Sequence, residues 1–206
     1  MTDKKVIGLT GTYCAGKNHV ALFLEQRGLP ALDVDKLGYQ VIETEKERIL
    51  ARFGGDILGE GGAIDRKRLG HKVFGKPGEL AALEEIVHPA ANRETLEWIK
   101  SRKEKACVIN AALLHRSSVF EILDAIIIVE APFLIRLLRA KKRDHLPWAV
   151  LLKRFRSQNE FMSQYFKGKT DIYRVENPGI FGFRSRSLRI RLKNRIDEIL
   201  SLRGIV

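Results

Sequence analysis

The sequence predicts an α/β fold on a central parallel sheet, and three observations carry that prediction. An apolar run, Val6-Ile7-Gly8-Leu9-Thr10, stops at Gly11 as a buried strand does at a glycine-rich turn. Two β-branched runs, Ala106-Cys107-Val108-Ile109 and Ala125-Ile126-Ile127-Ile128-Val129, have the near-continuous hydrophobicity of strands covered on both faces. Between and after these runs, apolar residues recur at helical spacing. With 206 residues, 45% of them apolar, the chain suits one α/β core with an inserted or appended subdomain and is too short for two full domains.

After Gly11, Val20, Phe23, Leu24 and Arg27 follow three- and four-residue spacing, which predicts a helix stopped by Gly28 and Pro30. Pro30-Ala31-Leu32 then returns to the sheet and delivers Asp33 at a strand's carboxyl end, where open α/β sheets bind ligands. Residues 39–105 are mostly helical in pattern, with Ile42, Ile49, Leu50, Leu80, Leu83, Ile86, Val87, Leu96 and Ile99 at buried positions. Gly54-Gly55 and Gly59 to Gly62 interrupt them, and an interior glycine costs about 1 kcal/mol relative to alanine. A helical insertion containing a turn follows.

Pro132 marks a helix start, with Leu134, Leu137 and Leu138 on an apolar face and Arg136, Arg139, Lys141, Lys142 and Arg143 crowding the remainder. A second basic helix is expected from Trp148 to about Gln158, and the pair suits a lid. At the C-terminal end, residues 188–192 alternate like a strand, but Leu192, Ile196, Ile199 and Leu200 keep a helical period, so a helix is favoured.

The chemistry concentrates in Gly11-Thr12-Tyr13-Cys14-Ala15-Gly16-Lys17-Asn18, which fits the first seven positions of Gly-x-x-x-x-Gly-Lys-[Ser/Thr] between a strand and a helix. Its glycines let successive N–H groups turn toward an anion, the helix N-terminus adds a favourable dipole, and Lys17 brings a movable charge to β- and γ-phosphates. The eighth position is Asn18 where a hydroxyl usually helps hold Mg²⁺. Its amide oxygen can ligate a hard cation, so Asn18 is both the candidate metal ligand and the weak point of the site. Cys14 has two readings, a thiol acidified by the helix N-terminus and Lys17, or an inert small loop residue.

Bulk properties bound the rest. Two cysteines without close pairing or metal-ligand spacing argue for free thiols in a reducing compartment, which makes the cytoplasm the expected location. The apolar runs fall far short of the roughly 18 residues of a membrane span, and the N-terminal residues lack a secretory pattern. A formal charge of +12 attracts polyanions, yet the basic segments hold few stacking aromatics, mainly Trp148, Phe155, Phe161 and Tyr165, so nucleic acid is not the expected partner. The five histidines lie too far apart for a local metal site.

Several fragments then combine. Val6 to Asn18, Leu32-Asp33-Val34-Asp35, Val87-His88-Pro89, Arg143-Asp144 with Arg154 and Gln158, and finally Asn177 with Gly179 resemble dephospho-CoA kinases in order and spacing over roughly residues 5–178. The resemblance implies a three-layer P-loop kinase core with a central parallel sheet, a helical substrate-binding insertion over about 39–105 and a helical lid over about 143–165. It implies transfer of phosphate from ATP, with Mg²⁺, to the ribose 3′-hydroxyl of dephospho-CoA, the last step of coenzyme A biosynthesis. Asp33 is then the carboxylate that accepts the hydroxyl proton, against the simpler reading of a helix N-cap. Arg143 is the lid arginine at the transferring phosphoryl, and Arg139 is a substrate contact. His88 faces the CoA side, and Asn177 lies near the adenine.

The departures fall on one side of the site. Family members usually carry Asp-x-Pro-Leu-Leu-x-Glu after the third strand, whereas this chain has Asn110-Ala111-Ala112-Leu113-Leu114-His115-Arg116. Asn18 and Asn110 both remove groups that serve Mg²⁺, so altered metal dependence is expected. Two rival readings follow: a degenerate P-loop protein that binds nucleotide or RNA without transfer, and a kinase for another small hydroxyl acceptor.

Overall fold

The computed structural model describes residues 4–165, 170–177 and 186–205, with the backbone alone for 157–164 and 186. Pro178 and Gly179, and the side chains of Gln158 and Phe161, lie outside the described residues. The chain forms two compact units, residues 1–32 with 102–206 and residues 33–101. The second begins earlier than the expected 39, because helix α2 (Val34–Thr44) starts directly after Asp33.

The first unit holds β1 (Lys5–Gly11), α1 (Lys17–Glu25), β2 (Ala31–Asp33, whose last residue opens the second unit), β3 (Ala106–Asn110), β4 (Ala125–Glu130), α6 (Phe133–Asp144), α7 (Trp148–Tyr165), β5 (Asp171–Glu176) and α8 (Arg186–Leu202). The sheet runs β2-β3-β1-β4-β5, and β1 pairs parallel with β3 and β4, as β4 does with β5. Parallel strands need covering on both faces, which is why β3 and β4 read as unbroken apolar runs. Ile7, Leu9, Val108, Ile127 and Val129 pack with Val20, Phe23 and Leu24 of α1 and with Leu192, Ile196, Ile199 and Leu200 of α8. On β1, Gly8 gives room to the segment after β3: a Cβ there would stand 2.5 Å from Leu114 Cδ2 and 2.8 Å from Leu123 Cδ1.

The 33–101 unit is helical: α2, α3 (Lys46–Phe53), α4 (Arg66–Val73) and α5 (Pro77–Ser101). Ile49, Phe53, Ile57, Ile64, Leu69, Val73 and Ile86 form its core. Asp65 caps α4 by accepting from Lys67 N at 2.8 Å and Arg68 N at 3.3 Å, satisfying amides that no helical carbonyl reaches.

The C-terminal segment is helical through residues 188–192, so tertiary burial of Leu192 and Ile196 overrides the local alternation. Pro132 is the residue before α6 and not its first residue. Among the described residues, no helix is long and apolar enough to cross a membrane.

Candidate active site

The loop from Gly11 to α1 is built so that its amides stay available. Thr12 N donates to Val129 O (3.2 Å) and Ala15 N to Thr12 O (2.9 Å), while His19 N and Val20 N both reach Gly16 O. Among the described residues, no backbone carbonyl accepts from the amides of Tyr13, Cys14, Gly16 or Asn18. Amides that a fold leaves without acceptors at a helix start form a site for an anion.

A brace of two side chains holds this loop. Asn177, 6% exposed, follows β5 and donates from Nδ2 to Ala15 O at 2.8 Å, with its own N–H bonded to Glu130 O at 2.7 Å. Arg139 of α6 donates from Nη1 to Cys14 O (3.3 Å) and Ala15 O (3.1 Å), and from Nη2 to Asn177 O (3.3 Å). Gly16 must be glycine here, since its φ is +94° and a Cβ would stand 2.4 Å from Asn177 Nδ2. In Cys14, burial pushes the thiol pKa up, outweighing the opposite pull of Arg143, so the acidified-thiol reading gives way to the inert one.

Tyr13 ties the loop to the α6–α7 hairpin. Its hydroxyl donates to Asp144 Oδ2, and its ring lies edge-on to Phe155 at 5.2 Å between centroids. Asp144 also accepts from Arg143 Nε (2.7 Å) and Nη2 (3.1 Å), and the Arg143 guanidinium sits 5.1 Å from the Tyr13 ring centroid. The Arg143 hydrogen bond holds the Asp144 carboxyl below its usual range, burial opposing it.

The two asparagines that depart from the motif face each other: Asn110 Nδ2 donates to Asn18 Oδ1 at 3.0 Å. Asn110 is 2% exposed, and its Oδ1 is a buried acceptor with no partner among the described residues. The donor set is therefore two neutral amides with one oxygen to spare. Mg²⁺ keeps several waters and draws most of its anionic ligands from nucleotide phosphates, so these residues fit a hydrated Mg²⁺ that enters with the nucleotide.

In the 33–101 unit, Asp33 caps α2, its Oδ1 accepting from Lys36 N at 3.2 Å. His88 is exposed beside Pro89 on α5, in a groove of about 390 Å³ lined also by Ala81, Glu84 and Glu85.

The sequence model for Dephospho-CoA kinase matches residues 5–176. A dephospho-CoA kinase of Treponema denticola is 33% identical over 183 residues, covering 84% of this chain and 82% of that protein. This chain belongs to the dephospho-CoA kinase family. Its fold is similar to the crystal structure of TT1252 from Thermus thermophilus, with a TM-score of 0.79 and 26% identity over 97% of both chains. The dephospho-CoA kinase of Campylobacter jejuni shares the fold at a TM-score of 0.64 and 23% identity, over 95% of this chain and 97% of that one.

Against the dephospho-CoA kinase pattern, the structure brings together residues that the sequence separates: Asn18 with Asn110, Tyr13 with Asp144, and Arg139 with Asn177 and the loop. Arg139 and Asn177 donate to loop and strand-end carbonyls. In the sequence, only a large side chain within a loop of small ones marks the Tyr13 link.

Proposed function

We propose that this chain transfers the γ-phosphoryl of ATP to the ribose 3′-hydroxyl of dephospho-CoA, in the cytoplasm. The observation that carries the reading is the braced loop from Gly11 to Asn18, with amides open to an anion, in a chain of this family. Lys17 supplies the charge that follows the β- and γ-phosphates, and the loop amides fix the donor in line. Asp33 accepts the proton of the attacking hydroxyl, and Arg143 offsets charge on the phosphoryl in flight. His88 serves the CoA-side groove on α5. Asn177 serves the nucleotide through the loop it braces, and Arg139 does the same in place of a direct substrate contact. Bound with the nucleotide and beside Asn18, a magnesium ion supplies charge neutralisation at the phosphate oxygens.

Incubation with ATP, Mg²⁺ and either dephospho-CoA or a panel of nucleosides tests the reading, product identity deciding the acceptor. Formation of coenzyme A, lost in Lys17→Ala, supports it. Phosphorylation of a nucleoside alone, or nucleotide binding without any product, overturns it in favour of the other-acceptor or degenerate reading.

The neutral Asn18–Asn110 pair gives a separate expectation. Restoring a hydroxyl and a carboxylate, Asn18→Ser with Asn110→Asp, lowers the Mg²⁺ midpoint for turnover by about 10–100-fold, the range seen when groups around a metal's ligands change. Titration at fixed ATP measures it, and an unchanged midpoint removes both asparagines from the metal's surroundings.

A further inference from the structure

One carboxylate, Asp144, joins the loop that holds the donor phosphates to the hairpin that carries Arg143. We infer that the Tyr13–Asp144 hydrogen bond is a positioning device that sets Arg143 against the terminal phosphate of the bound nucleotide. The inference rests on the proposed role of Arg143 and adds Tyr13 and Asp144 to the working parts of the site.

The geometry supports a device in preference to incidental packing. Asp144 receives four groups: the Tyr13 hydroxyl, Arg143 Nε and Nη2, and Arg154, whose Nη1 stands 3.9 Å from Oδ2. Arg154 Nη1 also donates to Tyr13 Oη at 3.4 Å, so the phenol oxygen is held from both sides. Asp144 is the less exposed partner at 17% side-chain exposure, whereas Arg143 is 59% exposed. A guanidinium has five donors in a rigid fork. Two of its nitrogens are turned to Asp144, and its face lies over the Tyr13 ring. Because the guanidinium is planar, holding it through Asp144 and Tyr13 fixes its plane before a nucleotide arrives, which lowers the reorganisation needed at transfer.

The anchorage of Tyr13 adds a second argument. Tyr13 and Cys14 pack with Leu137 and Leu146 against the buried cluster of Ala140, Leu151 and Phe155. The phosphate loop therefore enters the hydrophobic seam between α6 and α7. The bond from Tyr13 to Asp144, half-buried at both ends, keeps Arg143 in register with the loop that receives the phosphates.

Calorimetric titration of the full chain with ATP and with ADP tests the inference without needing the acceptor. Tyr13→Phe keeps the ring and its Phe155 contact and removes only the hydroxyl. It is expected to lower the preference for ATP over ADP about tenfold, as loss of a hydrogen bond to a charged group does. Asp144→Asn gives the same loss. In an Arg143→Ala background, where the preference has already fallen, Tyr13→Phe changes nothing further. A purely structural role predicts equal weakening of ATP and ADP, persisting without Arg143, and that result overturns the inference. So does an unchanged ratio in both single variants. Absence of transfer to dephospho-CoA by the unaltered chain, with the ratio behaving as described, removes the proposed acceptor and leaves the link standing.

Discussion

Asp33→Asn is expected to lower turnover about 10²–10⁴-fold, the usual worth of a positioned general base, with almost no change in thermal unfolding. The separation is possible because of where Asp33 lies. Its Oδ1 accepts from Lys36 N at 3.2 Å as the N-cap of α2, and asparagine caps a helix as well as aspartate does. The substitution keeps the cap and removes the carboxylate's basicity. Asp33→Ala loses both, and falls further in stability by about 1 kcal/mol. Steady-state assay beside a melting curve checks the pair. If Asp33→Asn turns over like the unaltered chain, Asp33 is only a cap.

Gly16→Ala is the second large effect, and it acts on nucleotide binding. A residue with a Cβ at φ +94° carries backbone strain of about 1–2 kcal/mol. The new methyl would also stand 2.4 Å from Asn177 Nδ2, forcing that amide off Ala15 O, a buried bond of 2.8 Å. The loop then loses both its turn and half of its brace. ATP affinity is expected to fall about 100-fold, equivalent to about 2.7 kcal/mol, as measured by calorimetry. Adding Asn177→Ala removes the clash, so the double variant is expected to be no less stable than Gly16→Ala alone, a non-additivity of neighbours in contact. Additive destabilisation would show that the two residues do not meet.

The parts of this molecule that the sequence disclosed are those whose causes lie within a few residues. The phosphate loop is contiguous, and its strand and helix announce themselves by apolar run and period. β5 is different: Asp171, Arg174 and Glu176 are exposed on an edge strand and Val175 is its one buried residue, so neither alternation nor continuous apolarity marks it. The asparagine pair lies 92 residues apart in sequence, and only the parallel register, with Leu9 opposite Asn110, brings it to the loop. The departures at both positions are visible singly; that one donates to the other is not. Arg139 shows the opposite limit, because a basic helix face does not say which of its cations turns inward to backbone carbonyls.

The sheet order places β1 third of five, with hydrogen-bonded neighbours on both sides, and Gly11 ends that strand where the loop begins. Amides of such an inner strand exchange with solvent only when the whole cooperative unit opens. Grip on a nucleotide is thereby tied to melting of the sheet and not to local breathing. In a urea titration, the fraction of molecules competent to bind should track the loss of circular dichroism, with no folded but binding-deficient species in between.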